Sequence, residues 1–287
     1  MSPALLGAAA ALSWGTHDFL ARYASRGIGY LNTVLAVTAV GLVVLTGIVF
    51  GWGLPIRLEW EGAWILATLG IGVALATMWL FAALEIGPIS IVAAITASYP
   101  ALAVTFAFLL GSRPTPLQWA AMAGIVVGLV VVARAARRFE HSGEIAPGMR
   151  PWIFLYSALA SVSFAVALTA GQYAAPIYGE VQSAWLGRFF GLALIVGVRL
   201  VSVREFRLPR RWLPLIGAMG VLDALALVAV VAAGFAPNPE IATVVSSTFG
   251  TVAILLARFI LREPISLIQW LGIGLIFSGV VILTATA

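Results

Sequence analysis

Residues 114–132 read PTPLQWAAMAGIVVGLVVV, and 151 positions later residues 265–283 read ISLIQWLGIGLIFSGVVIL. The two stretches align without a gap, and the alignment extends back to cover residues 89–132 and 240–283. Identical pairs in it include Phe108 with Phe259, Leu110 with Leu261, Gln118-Trp119 with Gln269-Trp270, and Gly128 with Gly279. A repeat of this length indicates that the chain consists of two related halves.

The beginnings of the two halves also correspond, at an offset of 150 residues. Ser13-Trp14 falls on Ser163-Phe164, and Tyr23-Ala24 falls on Tyr173-Ala174. The longest polar stretch, Arg134 to Pro151, lies at the midpoint of the chain. We therefore predict three parts, which are a first unit over residues 1–138, a connecting loop over residues 139–150 and a second unit over residues 151–287.

The composition places both units in a membrane. Of the 287 residues, 62% are hydrophobic and only 9% are charged, with a mean hydropathy of +1.08. Soluble domains carry about 25% charged residues, so this chain has too few charges to cover a water-soluble surface. A soluble enzyme, a nucleic-acid-binding protein and a disordered chain are excluded on that ground. In a membrane protein the net charge of +5 mainly reports orientation.

Two residue types are missing from the sequence. The absence of cysteine excludes a disulfide, an iron–sulfur cluster and a thiolate nucleophile. All 16 basic residues are arginine, and without lysine no Schiff base can form, which excludes a retinal pump and pyridoxal chemistry. With two histidines there is also no metal or nucleophile cluster for a membrane enzyme. We predict no cofactor, no metal and no enzymatic activity.

Runs of apolar residues define the predicted membrane spans. A spanning helix needs about 20 mainly apolar residues, and ten such segments alternate with short loops. They cover residues 3–21, 33–51, 63–84, 89–110, 116–133, 152–173, 181–200, 212–233, 240–261 and 265–285. The predicted fold class is an all-α integral membrane protein of ten transmembrane helices.

Each half contains five predicted spans, and this odd number has a topological consequence. Two related units with five spans each enter the bilayer in opposite orientations. Inverted repeats of this kind are typical of secondary transporters, whose substrate site lies near the midplane between the repeats. We therefore expect a central cavity and a transport function. Two alternatives are a duplicated protein with another role and a channel, although interrupted helices favour alternating access over a channel.

The two five-span halves resemble the EamA-type permeases of the drug/metabolite transporter superfamily. The motifs that carry the resemblance are Trp14-Gly15, Ala82-Ala83-Leu84 with Gly87-Pro88, Arg262-Glu263-Pro264 and Gln269-Trp270-Leu271-Gly272. The resemblance covers nearly the whole chain and implies an inner-membrane carrier, usually an exporter of amino acids, other small metabolites or drugs. One departure is the first turn, Gly111-Ser112-Arg113-Pro114, which lacks the acid that Glu263 supplies in the second.

Arginines are concentrated in alternate loops. The odd-numbered loops hold Arg22, Arg26, Arg134, Arg137, Arg138, Arg150, Arg199, Arg204, Arg207, Arg210, Arg211 and Arg262. The even-numbered loops hold only Arg57 and Arg113. The positive-inside rule then places both termini outside a bacterial-type inner membrane, whereas ten-span members of the resembling family are usually drawn with the termini inside.

Few charged residues lie within the predicted spans, where an acid or arginine costs roughly 2.5–3.5 kcal/mol. Asp223 lies about midway along span eight, where it would bind a substrate amino group, carry a coupling proton or accept a hydrogen bond from a neighbouring helix. Arg188 lies one to two turns into span seven. It either faces the cavity, where it would suit a carboxylate, or pairs with Asp223 or Glu180.

The first span carries a second polar group. Trp14, Asp18 and Arg22 follow one another at four-residue spacing and share a helical face. Trp14 has no reason to face lipid at mid-depth, so we expect Asp18 to line the cavity, the alternative being an interfacial ion pair with Arg22. His17 is the only histidine outside the central loop and can relay protons near neutral pH. Proton coupling through Asp18, Asp223 or His17 is a hypothesis.

Helix interruptions occur at corresponding places in spans four and nine. Pro100 follows Ser98-Tyr99, and Gly250-Thr251 stands at the matching positions after Ser246-Ser247-Thr248. Paired interruptions point to the binding site of an inverted-repeat carrier, because freed backbone groups can contact substrate. The alternative is a benign proline kink.

Together these residues predict an aromatic pocket with few charges. Its walls would be Trp14, Trp79, Tyr99 and Phe164, and its polar contacts Arg188, Asp223, Ser246 and Ser247. We expect an exporter of small metabolites such as amino acids, with a multidrug exporter of lipophilic cations as the alternative. The expected partners are a small-molecule substrate and the lipid bilayer, with no nucleic acid. Pairs such as Gly124 and Gly128 favour packing within a monomer over a homodimer.

Overall fold

In the part of the chain that the computed structural model describes, all regular secondary structure is helical. That part comprises residues 1–57, 59–100, 102, 108, 115–135, 148–202, 206–262 and 266–285, and it contains no β-strand. The second half of predicted span four, most of the connecting loop, and the turns at Gly111–Pro114 and Glu263-Pro264 lie outside it.

Eleven helices form the described part. They are α1 Pro3–Ile28, α2 Tyr30–Gly51, α3 Ala63–Ile86, α4 Ile89–Thr96, α5 Pro116–Ala135, α6 Arg150–Tyr178, α7 Glu180–Val201, α8 Leu213–Ala232, α9 Glu240–Ser246, α10 Phe249–Leu256 and α11 Leu267–Ala285. Single 3-10 turns, Trp60–Gly62 and Arg210–Trp212, precede α3 and α8 at equivalent places in the two halves.

Six helical segments are long and apolar enough to cross a membrane. Together with the turns that continue them, they are Tyr30–Gly51, Ala63–Ile86, Pro151–Tyr178, Glu180–Val201, Arg210–Phe235 and Glu240–Leu261. The 26-residue α1 has sufficient length but is less apolar, because it carries His17, Asp18, Arg22 and Arg26. Among the described residues, the structure thus supports a multi-span helical protein without establishing all ten predicted spans.

The first helix of each half is longer than the sequence predicts. Span one was expected to end at residue 21, but α1 continues to Ile28, and α6 continues past the expected residue 173 to Tyr178. Each ends at a glycine of positive φ, Gly29 at 83° and Gly179 at 84°. A glycine adopts this conformation without steric cost, so it turns the chain directly into the next helix.

The repeated stretch at residues 114–132 and 265–283 begins α5 and α11 with the same cap. Thr115 N donates to Gln118 Oε1 at 2.8 Å, and Gln118 N donates to Thr115 Oγ1 at 3.3 Å. Ser266 and Gln269 make the corresponding bonds at 2.7 Å and 3.3 Å. This reciprocal arrangement is a capping box, which satisfies two backbone donors that the start of a helix leaves free.

α5 and α11 pack against each other through equivalent glycines. A Cβ at Gly128 would lie 2.6 Å from Gly272 O, and one at Gly279 would lie 2.7 Å from Ala121 O. Small residues allow such close backbone approach in a membrane, where van der Waals packing holds helices together. The contact is self-complementary, because Gly272 is the counterpart of Ala121 in the repeat.

A second pair of crossings shows the same reciprocity. A Cβ at Gly70 in α3 would collide with Gly187 O in α7, and one at Gly220 in α8 would lie 2.5 Å from Val40 in α2. The third helix of each half therefore crosses the second helix of the other half. Reciprocal contacts of this kind are those of a two-fold interface, so the halves are related by a pseudo-two-fold axis.

Both predicted interruptions are present. α4 ends at Thr96 and helix resumes at Tyr99 after a turn at Ala97-Ser98, whereas α9 ends at Ser246 and α10 begins at Phe249. Pro100 has no N–H to donate to the Thr96 carbonyl, which accounts for the first break. The two breaks meet between the halves, since a Cβ at Gly250 would lie 2.9 Å from Ala93 O.

Candidate functional site

A small internal cavity lies between the two halves, where the interrupted helices meet α1. Its volume of about 10 Å³ holds roughly one water molecule. Residues of both halves line it. The first half supplies Trp14, His17 and Asp18 from α1, Thr77 and Leu80 from α3, and Tyr99 after the break that follows α4. The second half supplies Phe164 from α6, Asp223 from α8 and Phe249 from α10. The two aspartates are the only ones in the sequence.

Aromatic rings form one wall of this cavity. The Phe164 ring centroid lies 6.1 Å from that of Trp14 and 5.9 Å from that of Tyr99. Tyr99 stacks on Phe249 at 6.2 Å with an angle of 11° between the ring planes. Aromatic pairs at these separations stabilise a structure by more than the area they bury. Because each ring contacts the next, the wall is a continuous apolar surface made by both halves.

Asp223 is the most connected polar group of the cavity. Its Oδ1 accepts a hydrogen bond from Trp14 Nε1 at 3.1 Å, and its Oδ2 accepts one from Arg188 Nη2 at 2.5 Å. The carboxylate, at mid-helix in α8, thereby joins α1 and α7. Paired in this way, a charge within the bilayer is tolerated, because each carboxylate oxygen has a donor.

Arg188 reaches Asp223 from a different side. It lines a second cavity, also of about 10 Å³, with residues of α2, α3, α7 and α8 that include Thr38, Gly70 and Gly191. The guanidinium fits against Gly41, where a Cβ would lie 3.1 Å from Nη1. Of the two pairings expected from sequence, the structure has the one with Asp223.

His17 and Asp18 form a second polar pair in the first cavity. His17 Nδ1 lies 2.8 Å from Asp18 Oδ1, and both side chains are buried. With the carboxylate ionised, Nδ1 is the donor. The imidazole packs against Phe81 with ring centroids 5.5 Å apart. Its Nε2 has no hydrogen-bond partner among the described residues, so this nitrogen of the pair is unused.

A hydrogen bond links the two interrupted helices. Tyr99 Oη lies 2.7 Å from Ser246 Oγ and donates to Thr243 O at 3.2 Å. Gln172 of α6 supports the same turn, because its Nε2 donates to Thr243 Oγ1 and to Pro239 O, each at 2.8 Å. The Tyr99 hydroxyl therefore makes a polar contact between the first half and the break in the second.

The structure brings most of the predicted site residues together. Trp14, His17, Asp18, Tyr99, Phe164 and Asp223 line the first cavity. Arg188 and Ser246 each contact one of its lining residues. Pro100 and Gly250 lie beside Tyr99 and Phe249 at the breaks.

Two predicted pocket residues are not among those that line the cavity. Trp79 instead stacks on Tyr156 of α6, with ring centroids 5.5 Å apart. In an α-helix two successive residues are separated by 100°, so Trp79 lies about 200° around α3 from Thr77, which does line the cavity. Ser247 donates back to Val244 O at 2.6 Å, which leaves its hydroxyl engaged within its own turn.

Three lining residues, Thr77, Leu80 and Phe249, escaped the sequence-based prediction. Thr77 and Leu80 are three positions apart and share a face of α3. Because α3 is apolar on all sides, the sequence does not show which face meets the cavity. Phe249 opens α10 directly before Gly250, so the interruption itself was the available signal. No group of three or more His, Cys, Asp or Glu side chains arranged to hold a metal ion occurs within the described ranges.

Comparisons with known proteins agree with this architecture. The profile of the EamA-like transporter family matches residues 1–134 and, a second time, residues 151–285. A solved structure titled "Crystal structure of protein" has a TM-score of 0.77 at 22% sequence identity, covering 99% of this chain and 99% of that chain, which shows a shared fold. The curated proteins contain no match. Because the two profile matches cover nearly the whole chain, the resemblance inferred from sequence is confirmed and the chain belongs to the EamA-like transporter family.

Proposed function

We propose that this protein is a secondary active transporter that exports small metabolites such as amino acids by alternating access. The observation that carries the proposal is the position of the first cavity, which lies between two reciprocally packed halves at the meeting point of their interrupted helices. Carriers with inverted repeats bind their substrates at such a place. The proposal includes ten spans, with the five-span halves inserted in opposite orientations.

The chemistry of the cavity suits a small amphipathic solute. Rings of Trp14, Tyr99, Phe164 and Phe249 supply apolar contact, while the polar groups are concentrated near Asp223 and the His17–Asp18 pair. Pockets for small molecules generally combine apolar walls with a few placed polar groups. The amphipathic lining therefore supports a metabolite with one polar end and one apolar part.

The size of the cavity supports a conformational cycle. At about 10 Å³ it has room for a water molecule but none for an amino acid. The helices around it must separate before a solute enters, and at the Gly70 crossing the two helices meet backbone to backbone, without interlocking side chains. Rocking of one half against the other is the motion expected of such carriers.

Proton coupling is part of the proposal. Asp18 and His17 are in contact with each other inside the cavity, and Asp223 lines the same cavity. Acidic residues and histidine inside membrane proteins mark proton pathways. A proton taken up by Asp18 would change the charge of the cavity. It would thereby shift the equilibrium between the conformations that open to either side of the membrane.

The location and the orientation rest on different observations. We propose an inner (plasma) membrane of bacterial type because of the family to which the chain belongs, and both termini outside because loop arginines alternate along the chain. Strong cytoplasmic activity of a reporter fused to the C-terminus would overturn this orientation.

Export of lipophilic cations is a second candidate. The observation that favours it is the set of charged residues in the first cavity, which are two aspartates and no arginine. Arg188 lines the second cavity, and its charge is paired with that of Asp223.

Counterflow in proteoliposomes tests the proposed function. Vesicles loaded with an unlabelled solute should accumulate the same labelled solute only when they contain the protein, and the panel should include amino acids, nucleosides and lipophilic cations. Exchange of one class identifies it as substrate, whereas no exchange of any class contradicts the transport proposal. A thermal-shift screen of the purified protein with the same compounds gives an independent measure, because ligand binding raises stability by mass action.

The coupling proposal needs its own measurement. Accumulation should respond to an imposed pH gradient, and Asp18→Asn should abolish that response. Glu59→Gln is the matched control, because Glu59 is exposed in the loop before α3. Transport that ignores the gradient in the wild-type protein would count against proton coupling and leave the transport proposal intact.

A further inference from the structure

The ion pair of Arg188 and Asp223 stands between two separate cavities. Asp223 lines the first cavity, whereas Arg188 lines the second, and the two linings share no residue. The 2.5 Å hydrogen bond from Arg188 Nη2 to Asp223 Oδ2 joins a side chain of one lining to a side chain of the other. Separation of these two side chains would join the cavities into one space with a cation at one end and an anion at the other.

Asp223 and Arg188 differ in the hydrogen-bonding atoms that are still without a partner. Both carboxylate oxygens of Asp223 already accept a hydrogen bond, from Trp14 and from Arg188. Arg188 is 4% exposed, and its Nε has no hydrogen-bond partner among the described residues. A guanidinium has five N–H donors in a planar fork that matches a carboxylate. Arg188 can therefore receive a second carboxylate without reorienting its whole side chain.

The burial of the pair restricts what can separate it. Removing one partner of a buried ion pair leaves the other charge uncompensated, which is strongly unfavourable. A cationic solute would satisfy Asp223 but leave Arg188 alone, and an anionic solute would do the reverse. A solute that carries both charges compensates both residues, so the net charge of the site stays at zero before and after binding.

We propose that a zwitterionic solute inserts between Arg188 and Asp223 and exchanges their ion pair for two new ones. The solute carboxylate binds the Arg188 guanidinium, its ammonium group binds the Asp223 carboxylate, and its apolar part lies against the aromatic wall of the first cavity. Trp14 keeps its bond to Asp223 and acts as a positioning residue. This inference rests on the proposed transport function and narrows its substrates to solutes with both charges at neutral pH.

A series of derivatives with one side chain and four charge states provides the test. The twenty common amino acids are first screened by counterflow, and each one exchanged is then compared as the free amino acid, its methyl ester, its N-acetyl form and its N-acetyl amide. For an amino acid with an uncharged side chain, assayed at a pH below the pKa of the ester's amine, these are a zwitterion, a cation, an anion and a neutral molecule. The free amino acid should bind at least about tenfold more tightly than the other three, measured by thermal shift and by competition in counterflow.

Substitutions should change the preferred charge state in opposite directions. Asp223→Asn should weaken binding of the zwitterion at least tenfold and make the N-acetyl anion the preferred ligand. Arg188→Gln should instead make the methyl ester cation the preferred ligand. A purely structural ion pair would not exchange these preferences. If either neutral variant fails to fold, Arg188→Lys takes its place in the test. It keeps the positive charge and should therefore retain the wild-type order of preference. Arg134→Gln is the control, because it removes an exposed arginine at the end of α5 and should leave the order unchanged.

The outcomes separate this inference from the proposed function. Exchange of a cation or neutral compound as well as or better than the zwitterion supports transport and overturns the inference. An unchanged order of preference in both neutral variants, or a reversed order in Arg188→Lys, also overturns it. If the wild-type protein exchanges no compound of any charge, the transport proposal itself fails, and the inference fails with it.

Discussion

The Tyr99 hydroxyl lies 2.7 Å from Ser246 Oγ, and this hydrogen bond connects the break in one half of the protein to the break in the other. The two residues are 147 positions apart in the chain. Tyr99 also stacks on Phe249, which begins the helix after the second break. The contact therefore holds the interrupted helices together on one side of the cavity, and any opening on that side must separate them.

Tyr99→Phe should weaken this contact while leaving the aromatic wall intact. We expect a loss of about 1 kcal/mol in the free energy of unfolding, the usual net value of one hydrogen bond, together with a faster exchange rate if opening on this side limits transport. The unfolding midpoint and the counterflow rate measure the two effects. Tyr173→Phe is the control, because Tyr173 is 53% exposed. Equal effects of the two substitutions would show that the Tyr99 hydroxyl neither stabilises the contact between the two breaks nor limits opening.

Gly128→Ala and Gly279→Ala should each destabilise the protein by about 1–3 kcal/mol, because the added methyl group meets backbone at 2.6 Å and 2.7 Å. The similar cost in both halves follows from the reciprocal packing of α5 and α11. Tryptophan fluorescence during denaturation measures it.

The controls for this pair are Gly124→Ala and Gly274→Ala. A Cβ at either glycine meets nothing within 4 Å, so alanine should be neutral or stabilise its helix by up to about 1 kcal/mol. A loss of stability at Gly124 or Gly274 as large as at Gly128 would contradict the packing described here.

Arg188 and Asp223 should be strongly coupled in a double-mutant cycle. Asp223→Leu alone leaves a buried guanidinium without its partner, Arg188→Met alone leaves a buried carboxylate, and each should cost about 3–5 kcal/mol. The double variant Arg188→Met/Asp223→Leu replaces the pair with apolar side chains and should be more stable than either single variant, although it loses transport. Chemical denaturation in detergent measures the cycle. Additive effects of the two substitutions would show that the pair contributes no coupling energy.

The sequence alone predicted an all-helical membrane protein of two repeats, for a physical reason. Apolar runs and the gap-free repeat depend on local composition, so helices cover most of the predicted segments that the structure describes, and breaks occur near Pro100 and Gly250. Scarce polar residues were equally informative, because Asp18 and Asp223 need partners or a cavity inside a membrane.

The sequence was less informative about which face of each helix meets the cavity. Trp79 was expected in the pocket, but the packing of α3 on α6 turns it toward Tyr156, and Thr77 takes the position at the cavity. The rotation of an apolar helix is set by its contacts with other helices, and small residues such as Gly70 and Gly72 determine those contacts. Pairing between distant residues, as in Arg188 and Asp223, depends on the same rotation.

The absence of cysteine from the natural sequence permits a direct test of alternating access. Thr77→Cys would place a single thiol in the wall of the first cavity, and a membrane-impermeant thiol reagent can be applied to either side of oriented vesicles. Ser2→Cys, at the exposed start of the chain, provides a control that should react from one side under all conditions. We predict that the cavity thiol reacts from each side in turn, according to the direction of the substrate gradient. Equal reaction from both sides at all times would indicate a channel, and reaction from only one side during turnover would contradict alternating access through this cavity.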